Sequence, residues 1–238
     1  MERLRTVAGD TDTTMQGLHW AESTAAACEG VEMVIESLPE DVALKQQELA
    51  RAQSVAPQAL LGTNTSSLSV TEVARGLADP AALAGTHYLN PPTLFRVMEL
   101  VPGERTSPAV MDRFEEIFSS LGLAPVRLRK DAAGFVLNRL QFALLREATE
   151  LVESGVVAPE DLDRMVAEGL APRWVAAGPL TTALLGGSEL FDTLAGRLYP
   201  HLSRRTVLDE SVVKQQPDAD TLVQLRAERE QRLRSLLA

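Results

Sequence analysis

The chain has 238 residues, 45% of them hydrophobic, enough for one large buried core or two small ones. A formal charge of -10 argues against a nucleic-acid or anionic-membrane partner, and no stretch approaches the roughly 18 apolar residues of a membrane span. The single cysteine, Cys28, excludes an intrachain disulfide and a cysteine zinc site, and no metal is expected; with no apolar leader in MERLRTVAGD, the chain reads as cytoplasmic.

The first element in chain order is a short strand around His19 and Trp20. From Val31 to Leu38 the sequence is β-rich and nearly continuously apolar up to Pro39, as in a buried parallel strand. The spacing of Val42, Leu44, Leu49 and Ala50 predicts a helix over Asp41 to Ala56, and a short strand follows from Ala59 to Thr63, completing a strand–helix–strand crossover. A polar run, Asn64 to Ser67, leads into a short helix over Val70 to Leu77. Strands at Ala84 to Leu89 and Val97 to Val101 flank a loop containing Pro91 and Pro92, and Pro108 opens a helix that reaches Leu121. The last strand signal is Val126 to Leu128.

From Gly134 onward the chain reads as helix, with turns at Gly155, Pro159, Pro172, Gly178, Gly186 and Gly187. The fold class is therefore α/β followed by all-α, with one domain over 1–130 and a helical one over 131–238. Phe135, Val136, Leu140, Leu144, Leu145, Ala148 and Val152 place one apolar stripe on a helix of about twenty residues, which needs partners on that face. The alternating charges from Arg226 to Arg234 read as a solvated helix.

Among three histidines, His19 and His201 suit packing or surface roles, whereas His87 ends a strand beside Asn90-Pro91-Pro92, where α/β sheets assemble their sites. Glu99 lies in the apolar run Val97 to Val101, where a carboxylate needs a partner. If the intervening loop reverses the chain, the two side chains meet, and a carboxylate behind an imidazole fixes its tautomer and makes it a better base. The alternative is a structural ion pair for Glu99. The cluster Gly62 to Ser69 serves equally as a helix N-cap or as a set of hydroxyls for a substrate oxygen.

Taken in order, these segments resemble the 3-hydroxyacyl-CoA dehydrogenase family, including its lambda-crystallin/gulonate- and carnitine-dehydrogenase-like relatives. The matching pieces are Val34-Ile35-Glu36 through Glu40 and Lys45, Thr63 to Leu68, Gly85-Thr86-His87, Asn90-Pro91, Met98 to Val101, and Asp131 with Gly134 to Arg139. The resemblance implies an incomplete Rossmann-type NAD-binding sheet over 1–130 and a C-terminal helical substrate and dimerisation domain. It implies oxidation of a 3-hydroxyacyl-CoA, or a related small 3-hydroxy acid, with NAD as hydride acceptor. His87 would be the base, Glu99 its orienting carboxylate, and Ser66 and Asn138 contacts to the substrate oxygens; Glu36, Glu40, Lys45, Ser66 and Asn90 would lie along the cofactor. A homodimer is implied too.

The sequence departs from that family at its start. No G-x-G-x-x-G turn is present, since Gly9 and Gly17 do not form one. Against a dinucleotide-binding unit, the resemblance implies that about sixty residues of the family's usual N-terminus precede the point matched by Met1. Such a sheet has open edges, and the expectation is that in-frame upstream sequence encodes a strand and a glycine-rich turn. The alternative is a cofactor-free, non-catalytic helical dimerisation or regulatory protein; a hydratase or isomerase using His87 and Glu99 is a third reading. The retention of His87, Glu99, Ser66 and Asn138 speaks for the dehydrogenase. Arg173, before Trp174, suits either a carboxylate clamp for a small hydroxy acid or a helix-end cation near Glu168.

Overall fold

The computed structural model describes residues 17–207 and 218–237. A short helix α1 (Thr24–Ala27) precedes the alternation β1 (Met33–Glu36), α2 (Val42–Val55), β2 (Leu60–Thr63), α3 (Val70–Ala74) and β3 (Leu83–Tyr88). Side chains set where these helices begin. Asp41 accepts from the N–H of Leu44 and Ser69 from that of Glu72, each satisfying a donor the first turn leaves free. There follow β4 (Val97–Pro102), α4 (Pro108–Ser120) and β5 (Ala124–Arg127).

The five strands form one sheet in the order β1-β2-β3-β4-β5. The first three are parallel and β4 runs antiparallel to β3, so the loop between them reverses the chain, the condition on which the meeting of His87 and Glu99 depended. The segment 89–96 is shorter than the roughly dozen residues a parallel crossover needs, so the chain doubles back. A correction concerns His19 and Trp20, which lie in an irregular segment and not in a strand; two aromatic residues after Gly17 supply no alternating run to pair.

Alternation along the strands separates two cores. Leu61, Leu83 and Val101 face α2 and α3 with Leu49, Val70 and Val73, and Phe135 joins this cluster. Ala84, Met98 and Leu100 face the other side, against Met111, Phe114 and Phe118 of α4. Gly85 lets α3 approach closely: a Cβ there would lie 2.8 Å from Val70 Cγ2. That approach brings the polar turn before α3 down onto the carboxyl ends of β2 and β3.

The helical half consists of α5 (Leu137–Glu153), α6 (Pro159–Arg164), a π-helical turn (Met165–Leu170), α7 (Ala171–Leu185) and α8 (Ser188–Leu198), with α9 (Ala219–Leu237) last. Gly178, at φ 65°, breaks α7 before Pro179. Pro172 makes no turn; it lies in the first turn of α7, in helix continuous with the π-helical turn before it. The α/β-then-helical order expected from the sequence is the order found.

The chain divides into two compact units: one ends at Arg139 and takes in the last helix from Arg229, the other runs from Leu140 to Glu228. In the second, Ser203 N donates to Glu147 at 2.7 Å and Arg205 Nε to Glu150 at 2.5 Å, with Arg205 also pairing with Glu153. One stripe of carboxylates along α5 thus holds the segment that follows α8.

Candidate active site

His87 and Glu99 are direct partners in the β3–β4 register, so their side chains leave the same face of the sheet. His87 Nδ1 lies 2.7 Å from Glu99 Oε2, and the two residues are 8% and 2% exposed. The other carboxylate oxygen accepts from the main-chain N–H groups of Val136 at 2.8 Å and Leu137 at 3.1 Å, where α5 begins. Glu99 therefore also caps a helix whose positive end faces it. Burial pushes the Glu99 carboxyl up, but the His87 hydrogen bond, the two amides and the His87 charge together hold it below the ordinary carboxylate range. A charged Glu99 draws the imidazole proton to Nδ1 and leaves Nε2 with its lone pair. The Phe135 ring, 5.6 Å from that of His87, closes one side of the imidazole.

Beside this pair lies a second carboxylate system, at the carboxyl ends of β1 and β2. Glu36 ends β1, and the fully buried Lys45 of α2 donates to Glu36 Oε1 at 2.8 Å and to the Leu38 carbonyl at 2.9 Å. Thr63 Oγ1 donates to the remaining Glu36 oxygen at 2.7 Å. Glu40, after the turn, accepts from Thr65 Oγ1 at 2.8 Å, Ser66 N at 2.7 Å, Ser66 Oγ at 2.9 Å and Ser67 N at 3.0 Å, with Lys45 Nζ at 3.4 Å.

Burial raises the Glu40 carboxyl, but the Ser66 amide, the Thr65 and Ser66 hydroxyls and the Lys45 charge outweigh it and lower it to about 2. Because the folded value lies below the ordinary value of 4.5, the contribution is full above that pH and fades as pH falls toward 2. A Glu40→Gln variant is expected to unfold at lower urea than the parent at pH 7, with the gap narrowing at pH 3. A gap equal at both pH values counts against this network.

Of the residues singled out from the sequence, His87 and Glu99 meet directly. Asn138 meets Ser66, its Nδ2 donating to the Ser66 carbonyl at 2.6 Å. Glu36, Glu40, Lys45 and Ser66 form the continuous network just described. Asn90 stands apart, exposed in the turn after β3, with no side-chain hydrogen bond among the described residues. Sequence reading missed Asn64, whose Oδ1 accepts from Tyr88 N at 3.1 Å and ties the ends of β2 and β3 together. It also missed the Val136 and Leu137 amides, which carry no side-chain signature.

Glu40 stays charged at neutral pH, its oxygens held by Thr65, Ser66, Ser67 and Lys45. Lys45 is fully buried and engaged with Glu36, so it acts there as the counter-charge of the network. No glycine-rich turn for a pyrophosphate lies among the described residues.

Residues 1–132 match the NAD binding domain of 3-hydroxyacyl-CoA dehydrogenase, and residues 134–225 match its C-terminal domain. The chain is 31% identical over 218 residues to 5-formyl-3-hydroxy-2-methylpyridine 4-carboxylate 5-dehydrogenase of Mesorhizobium japonicum, covering 86% of this chain and 71% of that one. It is 40% identical over 165 residues to the human lambda-crystallin homolog, covering 69% of this chain and 52% of that protein. The chain thus spans about half the length of the lambda-crystallin relatives it matches. A solved structure of a 5-formyl-3-hydroxy-2-methylpyridine 4-carboxylic acid 5-dehydrogenase, described as an NAD+ dependent dismutase, superposes with a TM-score of 0.87 at 26% identity, covering 99% of this chain and 85% of that one. With both halves matched in order by two domains of one family, the chain belongs to the 3-hydroxyacyl-CoA dehydrogenase family of NAD-dependent oxidoreductases.

Proposed function

We propose that the chain oxidises the secondary alcohol of a 3-hydroxyacyl-CoA, or of a related small 3-hydroxy acid, to the 3-oxo product. The observation that carries this reading is the buried His87–Glu99 pair, with Nδ1 held at 2.7 Å and Nε2 left to act. NAD, when bound, supplies the hydride acceptor. His87 Nε2 takes the hydroxyl proton as the carbon–hydrogen bond breaks, and the carbonyl forms from the electrons of the former O–H bond. Glu99 stabilises the imidazolium that results. Ser66 and Asn138, already joined to each other, hold the reacting oxygen, and Glu36, Glu40, Lys45, Ser66 and Asn90 shape the cofactor end. No helix among the described residues is long and apolar enough to cross a membrane, and with one cysteine the chain suits a cytoplasmic setting. The exposed Phe142, Val175, Leu180 and Leu185 support a homodimer formed through the helical unit.

Titration of the purified chain with NADH, followed by fluorescence, is expected to saturate. A panel comparing 3-hydroxyacyl-CoA esters with free small hydroxy acids, read as NADH formation, then assigns the substrate. Absence of NADH binding at millimolar cofactor would leave the chain without support as a dehydrogenase.

A further inference from the structure

The loop from β5 to α5 delivers the two amides that hold Glu99, yet its own backbone is unfavourable. Gly134 sits at φ 72° and Phe135 at φ 50°, a left-handed conformation that crowds the Cβ of any residue but glycine. Such a conformation persists only where its surroundings over-determine it. On the far side, Phe135 is anchored by its ring, 1% exposed in the core under α2 and α3. On the near side the anchor is Asp131. Its Oδ2 accepts from Ser69 Oγ at 2.6 Å and from Thr71 N at 2.9 Å, binding the loop to the start of α3. Its Oδ1 is shut away from solvent with no hydrogen-bond partner among the described residues. A buried orphan acceptor destabilises the fold, so the carboxylate is not explained by stability alone. Between the two anchors the loop is wound tight, with Phe135 N donating to the Ala132 carbonyl at 2.8 Å and Arg139 N to the Gly134 carbonyl at 3.2 Å.

We propose that Asp131 is a positioning residue for the His87–Glu99 pair, acting through the main-chain N–H groups of Val136 and Leu137. The proposal rests on the dehydrogenase reading and deepens it. Asp131 touches neither His87 nor Glu99; it fixes the turn whose exit amides bind Glu99 Oε1, and so fixes the carboxylate plane that Oε2 presents to Nδ1. The same turn carries Asn138 to the Ser66 carbonyl, so the segments 66–71 and 131–138 are joined at both ends. Without Asp131 the loop keeps the Phe135 anchor but loses its register, and the amides swing away from Glu99.

The test compares Asp131→Ala with Asp131→Asn, whose carbonyl oxygen still accepts from Ser69 and Thr71. In Asp131→Ala, amide hydrogen exchange at Val136 and Leu137 is expected to quicken about tenfold or more, relative to amides in β3 and β4. The low-field resonance of the His87 Nδ1 proton, assigned by its loss in His87→Ala, should broaden or vanish. With substrate, kcat should fall roughly ten- to a hundredfold while the KM for NAD stays near that of the parent. Asp131→Asn should restore all three. Should Asp131→Ala not fold, Asp131→Ser gives the same readouts through a side chain too short to reach Thr71. Exchange that quickens uniformly across the sheet, or a Val136–Leu137 pair that stays as protected as in the parent, overturns the proposal. The exchange and resonance measurements need no turnover, so failure of the dehydrogenase reading would show separately, as absent activity with those signatures moved.

Discussion

Exchange of His87 for alanine is expected to lower kcat/KM by about 10²- to 10⁴-fold, the usual worth of a positioned acid–base group. The only other histidine ring in the unit that holds the strands is His19, in the irregular N-terminal segment, so no neighbour takes over the proton. Glu99→Gln is expected to lose nearly as much, for a different reason. The amide oxygen can still accept from Val136 and Leu137, which turns the NH₂ toward Nδ1. The imidazole must then carry its proton on Nε2, where no lone pair is left for the substrate hydroxyl. Steady-state kinetics with matched circular dichroism spectra check both variants. A His87→Ala enzyme that keeps more than about a tenth of parental turnover removes His87 from the reaction.

The largest stability effect is expected at Lys45. Its ammonium is fully buried beside Glu36, itself 6% exposed. In Lys45→Met the aliphatic volume stays, but the Glu36 carboxylate is left in the interior with only the Thr63 hydroxyl and the Leu38 amide. Removing one partner of a buried pair costs about 3–5 kcal/mol, so the urea midpoint should fall sharply. The double variant Glu36→Gln/Lys45→Met removes both charges and should regain most of that loss, since the two substitutions are coupled. If the double variant is no better than the single one, Glu36 and Lys45 do not act as a coupled pair.

How much of this was legible in the sequence follows from which forces leave a trace there. The His87–Glu99 pairing was readable as a conditional, because a carboxylate in the apolar run Val97 to Val101 demands a partner. The register that makes the pair was not, since a slip of one residue would turn Glu99 to the α4 face. The antiparallel course of β4 stood as the condition of that pairing; strands look alike in either direction, and the brevity of 89–96 is what favours the reversal. Lys45 stood in the matching segment, but its complete burial depends on how α2 lies on β1. Asp131 was in a matching segment too, yet its partners are Ser69 and Thr71, some sixty positions earlier, and distance in sequence erases such a link. Helix beginnings were the most legible, because Asp41, Ser69 and Ser107 act within three residues of themselves.

The holding of Glu99 by two main-chain amides also bears on how such a site drifts under mutation. A contact made by a side chain is lost when that residue changes, but a peptide N–H is supplied by nineteen of the twenty amino acids. Substitutions at 136 and 137 that leave the backbone in place therefore keep both donors to Glu99, and proline alone removes one. At Val136, which is 48% exposed, the side chain is replaceable while the proton-transfer pair keeps both of its donors.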